Sequence, residues 1–235
     1  LKFAVSTIIP VLNDNAALRR CVAALRGCTQ SDFNQIIIAD GGASDECQAI
    51  AQEYGAEYVC SECGRGRQMN AGAAVAAGEW LWFLHADCVP AQDAIAAILE
   101  LDAGTEWGCF RHRIGAANPW LRVIETADNL RARVMRLPYG DQGIFVRADC
   151  FRAVGGMQVV PLMEDVMLSK ALAERSAPRI LKPVLVTDAR RWIQHGVLKT
   201  MLMNWRMMLE FSVLKRTPEE LAKRYYASGR NKADE

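Results

Sequence analysis

The side chains able to do chemistry sit where apolar runs end. Asp40 directly follows the run 35–39 and precedes two glycines. In open α/β sheets ligands bind beyond the carboxyl ends of the strands, where an aspartate can accept a hydrogen bond from a base or a sugar hydroxyl. A turn carboxylate satisfied by its own backbone accounts for the position equally well. Arg65 and Arg67 flank Gly66 at the start of an Ala-rich stretch. Guanidinium forks match phosphate oxygens, and a helix N-terminus favours anions. The spacing is neither a P-loop nor a dinucleotide fingerprint, and solvated surface arginines are the plain alternative.

His85-Ala86-Asp87 closes another apolar run. Side chains two apart in an extended segment point the same way. Asp87 can therefore ligate a hard divalent cation, Mg2+ or Mn2+, while His85 helps orient a ribose. One carboxylate is a thin site, so a diphosphate and water would complete the coordination. Ordinary strand-end polar residues fit the same pattern. Glu164-Asp165 opens a helical pattern. It suits a general base aimed at a hydroxyl, or acidic residues that favour a helix dipole. Arg190, Arg191 and Trp192, with His195 nearby, can hold phosphate, stack on a ring, or simply link two elements.

Short apolar runs over 3–9, 35–39, 57–60 and 79–84 read as strands. Helical patterns follow each: from Asp14 to near Gly27, from Ser44 or Asp45 to about Tyr54, over 66–77, and one with Pro90 near its start that reaches about Leu101. A strand–loop–helix unit repeated four times is the pattern of a parallel sheet covered by helices. The second half loses this rhythm. It offers strands over 107–110, 143–147 and 180–187, and helices over 120–135, 163–173, 194–213 and from Pro218. The helix over 194–213 bears a broad apolar face including Val197, Leu198, Met201, Leu202, Trp205, Met208 and Leu209. The expected use of that face is packing on the sheet domain or on a partner subunit, in preference to shallow insertion into a membrane surface.

The chain has 235 residues, 51% hydrophobic and 23% charged, which suits a folded core rather than disorder. Lys and Arg total 28 against 27 for Asp and Glu, so bulk charge gives no support to a nucleic-acid partner. Eight scattered cysteines read as reduced, mostly buried thiols of a cytoplasmic protein. Cys60-Ser-Glu-Cys63 has spacing for zinc or redox chemistry but no second pair to complete a site. No secretory signal is visible, and no run of 18 apolar residues suggests a membrane span.

The pieces in their order resemble glycosyltransferase family 2, the inverting nucleotide-diphospho-sugar transferases of the GT-A fold. VSTIIPVLND at 5–14 resembles the family's first strand and loop, and IIIADGGASD at 36–45 its second strand and aspartate loop. WLWFLHAD at 80–87 stands where the family carries its DxD metal motif, and MEDVMLSKAL at 163–172 resembles its acidic catalytic helix. GRGRQMNAGA, LHAD, YGDQGIF and ARRW are similar to a small bacterial subgroup of transferases. That subgroup is associated with radical-SAM or selenium-domain genes and is also linked to arsenosugar biosynthesis.

The resemblance implies an α/β GT-A fold, a Rossmann-like and mostly parallel sheet flanked by helices with a helical C-terminal appendage. It places the transferase domain at 1–192, divided into a donor half (1–101) and an acceptor and catalytic half (102–192), and the appendage at 193–235. It implies transfer, with inversion, from a nucleotide diphosphate sugar, UDP-linked by preference, to an acceptor hydroxyl that is small or lipid-linked. Asp165 matches the base and Asp87 the metal aspartate. Asp40 matches the residue that reads the donor's base, and Pro10 and Asn13 the loop around the nucleotide. Arg65 or Arg67 falls where a basic residue meets the donor. Two departures stand out: His85 replaces the first aspartate of DxD, and Ala39 replaces an aspartate before Asp40. Two other readings share these residues. A sugar-1-phosphate nucleotidyltransferase would need a Gly-rich loop where Pro10–Asp14 stands, and a sugar-nucleotide-binding protein without activity would bind donor but not turn it over. A homo-oligomer is compatible with all three.

Overall fold

A computed structural model describes residues 3–227. Its centre is an eight-stranded sheet built on β1 (Val5–Val11), β2 (Asn34–Asp40), β3 (Glu57–Cys60), β4 (Trp80–Phe83), β5 (Cys88–Val89), β6 (Trp107–Ile114), β7 (Phe145–Arg147) and β8 (Arg179–Thr187). The strand order is β3-β2-β1-β4-β7-β6-β8-β5. The first four positions are parallel throughout, β7 is antiparallel to both neighbours, β6 and β8 are parallel, and β5 closes the far edge antiparallel to β8.

β1 and β2 are buried along their whole length because helices cover both faces. Alternation divides their side chains between two cores. Ile9, Ile36 and Ile38 join Trp82, Phe110 and Phe145 on one face. Ile8 and Ile37 join Met69, Phe83, Trp107 and Phe151 on the other. The two polar residues inside β1 are satisfied by the neighbouring strand β2: Ser6 Oγ donates to Gln35 Oε1 at 2.6 Å and Thr7 Oγ1 to Asn34 Oδ1 at 2.8 Å.

The helices start where the sequence supplies caps. Asp14 accepts from the Ala17 amide to open α1 (Asn15–Arg26). Ser44 accepts from the Cys47 amide to open α2 (Asp45–Glu53). α3 (Arg65–Val75), α4 (Ala94–Leu99), α5 (Pro119–Val134), α6 (Ala148–Ala153), α7 (Glu164–Ala173), α8 (Arg190–His195), α9 (Val197–Ser212) and α10 (Pro218–Ala227) follow.

Three expectations are corrected. The helix expected to start near Pro90 begins four residues later. β5 pairs with β8 first, and the helix waits until Ala94. The single helix over 194–213 is two, because Gly196 takes φ +82°, outside the helical region. The apolar face of that helix is used on one side only. Met203, Met207, Met208 and Phe211 pack against Leu162, Val166 and Leu221, and Val197 and Met201 pack against Ile114 and Ile124. Leu198, Leu202, Trp205 and Leu209 stay exposed. No helix among the described residues is long and apolar enough to cross a membrane.

Candidate active site

β1, β2 and β4 all point their carboxyl ends at one edge of the sheet, and the loops after β1 and β4 line a cavity of about 330 Å³. Pro10 comes from the end of β1, and His85 and Asp87 from the loop after β4. Arg65 comes from the first turn of α3, Asp165 from the first turn of α7, and Arg190, Arg191 and Trp192 from α8. A second cavity, of about 270 Å³, shares Pro10, Arg65 and His85 with the first and is lined further by Arg67 and Gln68. The fold therefore gathers Pro10, Arg65, His85, Asp87, Asp165, Arg190, Arg191, Trp192 and His195 around one hollow.

Arg67, Asn13 and Asp40 lie elsewhere. Arg67 lines the neighbouring cavity and is ion-paired with Glu62. Asn13 is exposed, at a positive φ of 56°. Asp40 is fully buried under its own loop, where Oδ1 accepts from the Gly42 amide at 2.8 Å and Oδ2 from the Ser44 amide at 2.7 Å and Tyr58 Oη at 3.1 Å. That geometry favours Asp40 as the residue that shapes the loop after β2.

Asp165 is aimed by its surroundings. Its Oδ2 accepts from the Gly140 amide at 2.6 Å, and its Oδ1 from the Val166 amide at 2.7 Å. Met163, immediately before the helix, is held at φ +71°. A non-glycine residue there stores about 1–3 kcal/mol of strain, which surrounding structure must hold; Met163 is buried in the cluster of Leu162, Val166 and Leu221. The adjacent Glu164 is buried, and its Oε1 lies 2.8 Å from Arg65 Nε. One acidic residue thus anchors the arginine while its neighbour faces the cavity.

His85 lies beside the same turn. A Cβ on Gly140 would come within 2.6 Å of His85 Nε2 and 3.2 Å of Asp165 Oδ2, so only glycine lets the three groups approach. Burial pushes the His85 imidazole below its ordinary value, and the neighbouring Arg65 adds to this. The ring is therefore neutral at pH 7 and has a lone pair to offer. Its Nε2 is buried without a hydrogen-bond partner among the described residues. Burial lifts the Asp87 carboxyl above the usual carboxylate range, with Asp141 and Asp188 contributing in the same direction.

Asp141, Tyr139 and Asp188 also line the cavity, and sequence reasoning gave them no role. Asp141 and Tyr139 lie in the YGDQGIF stretch, a signal available without an interpretation. Asp188 had none, because β5 brings it into place: its amide donates to the Asp87 carbonyl at 3.1 Å. Asp188 Oδ2 also lies 3.0 Å from Arg190 Nε, and Arg190 reaches across to Asp14. Arg190 thus links the loop after β1 to the loop after β8. Arg191 lies over the Tyr225 ring, and Trp192 packs against Ile114 and Ile124.

Behind Asp141 stand His112 and Asp128, the three offering ligand atoms within 4.8 Å of one another. His112 Nε2 is engaged by Thr187 Oγ1 at 2.8 Å, and Asp128 by Arg131 at 2.5 Å. These partners make the group a support for the Asp141 turn.

Hard oxygen donors around an uncharged imidazole suit Mg2+ or Mn2+. The unpartnered His85 nitrogen and the Asp87 carboxyl, whose charge the surroundings disfavour, are what a cation would satisfy.

Known proteins with this architecture include a mannosyltransferase of Pyrobaculum calidifontis in complex with GDP-Man and Mn2+. It is 15% identical with a TM-score of 0.60, over 88% of this chain and 61% of that one. TarS of S. aureus in complex with UDP-GlcNAc is 16% identical with a TM-score of 0.61, over 80% and 59%. Glucosyl-3-phosphoglycerate synthase of Mycobacterium tuberculosis, in complex with Mn2+, UDP and glucosyl-3-phosphoglycerate, is 18% identical with a TM-score of 0.57, over 79% and 70%. At these identities the likeness establishes the fold, the GT-A arrangement.

Among curated proteins, an uncharacterized glycosyltransferase of M. tuberculosis is 37% identical over 105 residues, 43% of this chain and 40% of that protein. A PGL/p-HBAD biosynthesis glycosyltransferase of Mycobacterium bovis is 36% identical over 89 residues, 35% of this chain and 34% of that protein. The matches thus span less than half the length of these relatives. The model of glycosyl transferase family 2 matches residues 6–157, and the chain belongs to that family.

Proposed function

We propose that the chain moves a sugar from a nucleoside diphosphate donor, UDP-linked by preference, to an acceptor hydroxyl with inversion at the anomeric carbon. The observation that carries this reading is the meeting of Asp165, His85, Asp87 and Arg65 around one cavity at the carboxyl edge of the sheet. Asp165 takes the proton from the acceptor hydroxyl as its oxygen attacks the anomeric carbon and the bond to the diphosphate breaks. Glu164 is committed to Arg65 and so leaves that task to its neighbour. Arg65 faces the leaving diphosphate, and Arg67 extends the basic lining into the second cavity, which suits the nucleotide. Asp87 and His85 would hold Mg2+ or Mn2+. When bound, the ion supplies neutralisation of charge on the leaving diphosphate. With no protein nucleophile in the scheme, a single displacement inverts the centre.

Two solved proteins of this fold are complexes with Mn2+ and a nucleotide or nucleotide sugar, which supports the same donor class here. We keep the domain division at 192/193, the cytoplasmic setting and the nearer kinship to the radical-SAM- or selenium-associated subgroup within this reading. Calorimetric titration of UDP with Mn2+, and with EDTA, tests it. Binding that needs the metal in the wild type and loses that dependence in Asp87→Ala is expected. Equal affinity in all four conditions would remove the metal role.

A further inference from the structure

The helices that close the cavity carry an apolar face that no other described residue covers. α9 turns Met207 and Met208 towards the cavity and exposes Leu198, Leu202, Trp205 and Leu209 on its far side. Steps of four, three and four residues put these on one stripe. α5, which packs beside α9, adds a second stripe of Trp120, Val123, Leu130 and Val134. Every one of these residues is at least half exposed. Single exposed apolar side chains are ordinary, whereas contiguous ones mark an interaction surface.

The charges around the face select its occupant. No carboxylate on α5 or α9 is exposed: Glu125 and Glu210 are buried, and Asp128 is half-buried against Arg131. The exposed cations are Arg133 and Lys199 on these helices, Arg206, which is already paired with the buried Glu210 at 2.9 Å, and Arg136 and Lys215 just beyond their ends. A second copy docked through the same face would present this same cationic set, because a two-fold interface uses one patch twice. The two helices carry no exposed carboxylate to answer it. Anionic headgroups answer the cations that Glu210 does not. Tryptophan and leucine then enter the boundary between headgroups and acyl chains, as amphipathic helices lying in an interface do.

We propose that the α5–α9 face docks on an anionic lipid bilayer, and that the acceptor hydroxyl belongs to a molecule held in that bilayer. The second clause rests on the transferase reading; the first stands without it.

Flotation tests the docking. At low salt the chain is expected to float with phosphatidylcholine vesicles containing a quarter phosphatidylglycerol, to stay down with phosphatidylcholine alone, and to be released as salt rises. The double variant Leu202→Glu, Trp205→Glu is expected to stay down. Lys199→Glu with Lys215→Glu, two charge reversals, should cut vesicle partitioning by about an order of magnitude or more. Circular dichroism and melting confirm that each variant is folded. UDP titration without vesicles is run on the same proteins and should match wild type. Flotation without nucleotide binding sinks the transferase reading and leaves the docking; nucleotide binding without flotation sinks the docking. A dimer in sedimentation that the Leu202→Glu, Trp205→Glu variant abolishes, in a protein that does not float, gives the face to a second copy and overturns the proposal. Flotation that survives both double variants overturns it as well.

Discussion

Replacing Gly140 by alanine adds one methyl group at the point where the proposed base, its amide donor and His85 meet. The added Cβ would lie 2.6 Å from His85 Nε2, 2.9 Å from Cε1 and 3.2 Å from Asp165 Oδ2, where ordinary contact begins near 3.4 Å. The ring must retreat by roughly 0.8 Å, close to the displacement of about 1 Å at which a positioned group loses about 10²-fold in rate. The backbone at Gly140 is not in the left-handed region, so the penalty is steric rather than conformational. Overpacking of this kind costs about 1–3 kcal/mol of stability. Sugar release from a donor that binds in a thermal-shift screen, followed with Mn2+ present, should therefore fall about 100-fold. Gly27→Ala, where the new methyl meets only ordinary contacts, should leave both rate and melting temperature near wild type. A Gly140→Ala protein that turns over donor at the wild-type rate would refute the assignment of Asp165 and His85 to one constrained turn.

Asp165→Asn should lower transfer by about 10²- to 10⁴-fold, the usual worth of positioned proton transfer, while donor affinity by calorimetry stays within a few-fold; near-normal turnover moves the base elsewhere. Arg190→Ala should weaken nucleotide binding more than it weakens the fold. Its ion pairs with Asp14 and Asp188 are half exposed, and such pairs contribute under about 1 kcal/mol. A large fall in melting temperature with unchanged affinity would make Arg190 a structural link only. Of the eight cysteines, only Cys60 and Cys63 are exposed, and burial pushes the Cys28 thiol up to about 11 and the Cys109 thiol up to about 12. Ellman's reagent should label two thiols of the native protein at pH 8 and eight after unfolding, because buried thiols remain protonated and covered. Rapid native labelling of more than two would contradict the buried set.

The sequence carried most of the donor side of this fold. All-apolar runs such as 35–39 can be buried only between helix layers, and caps such as Asp14 and Ser44 mark helix starts through local hydrogen bonds. Asp87, Arg65 and Asp165 were therefore legible as residues at the ends of local elements. What needed tertiary structure was everything set by distant partners. The two-residue strand β5 has no sequence signal of its own, because its pairing with β8 nearly a hundred residues away defines it and brings Asp188 to Asp87. The buried state of Asp40 and the commitment of Glu164 to Arg65 depend on which neighbours the chain brings near. The apolar face after Arg190 was visible as a period in the sequence. Which of its sides would be covered depended on how α9 lies across α5 and α10, since periodicity identifies a stripe but not what packs against it.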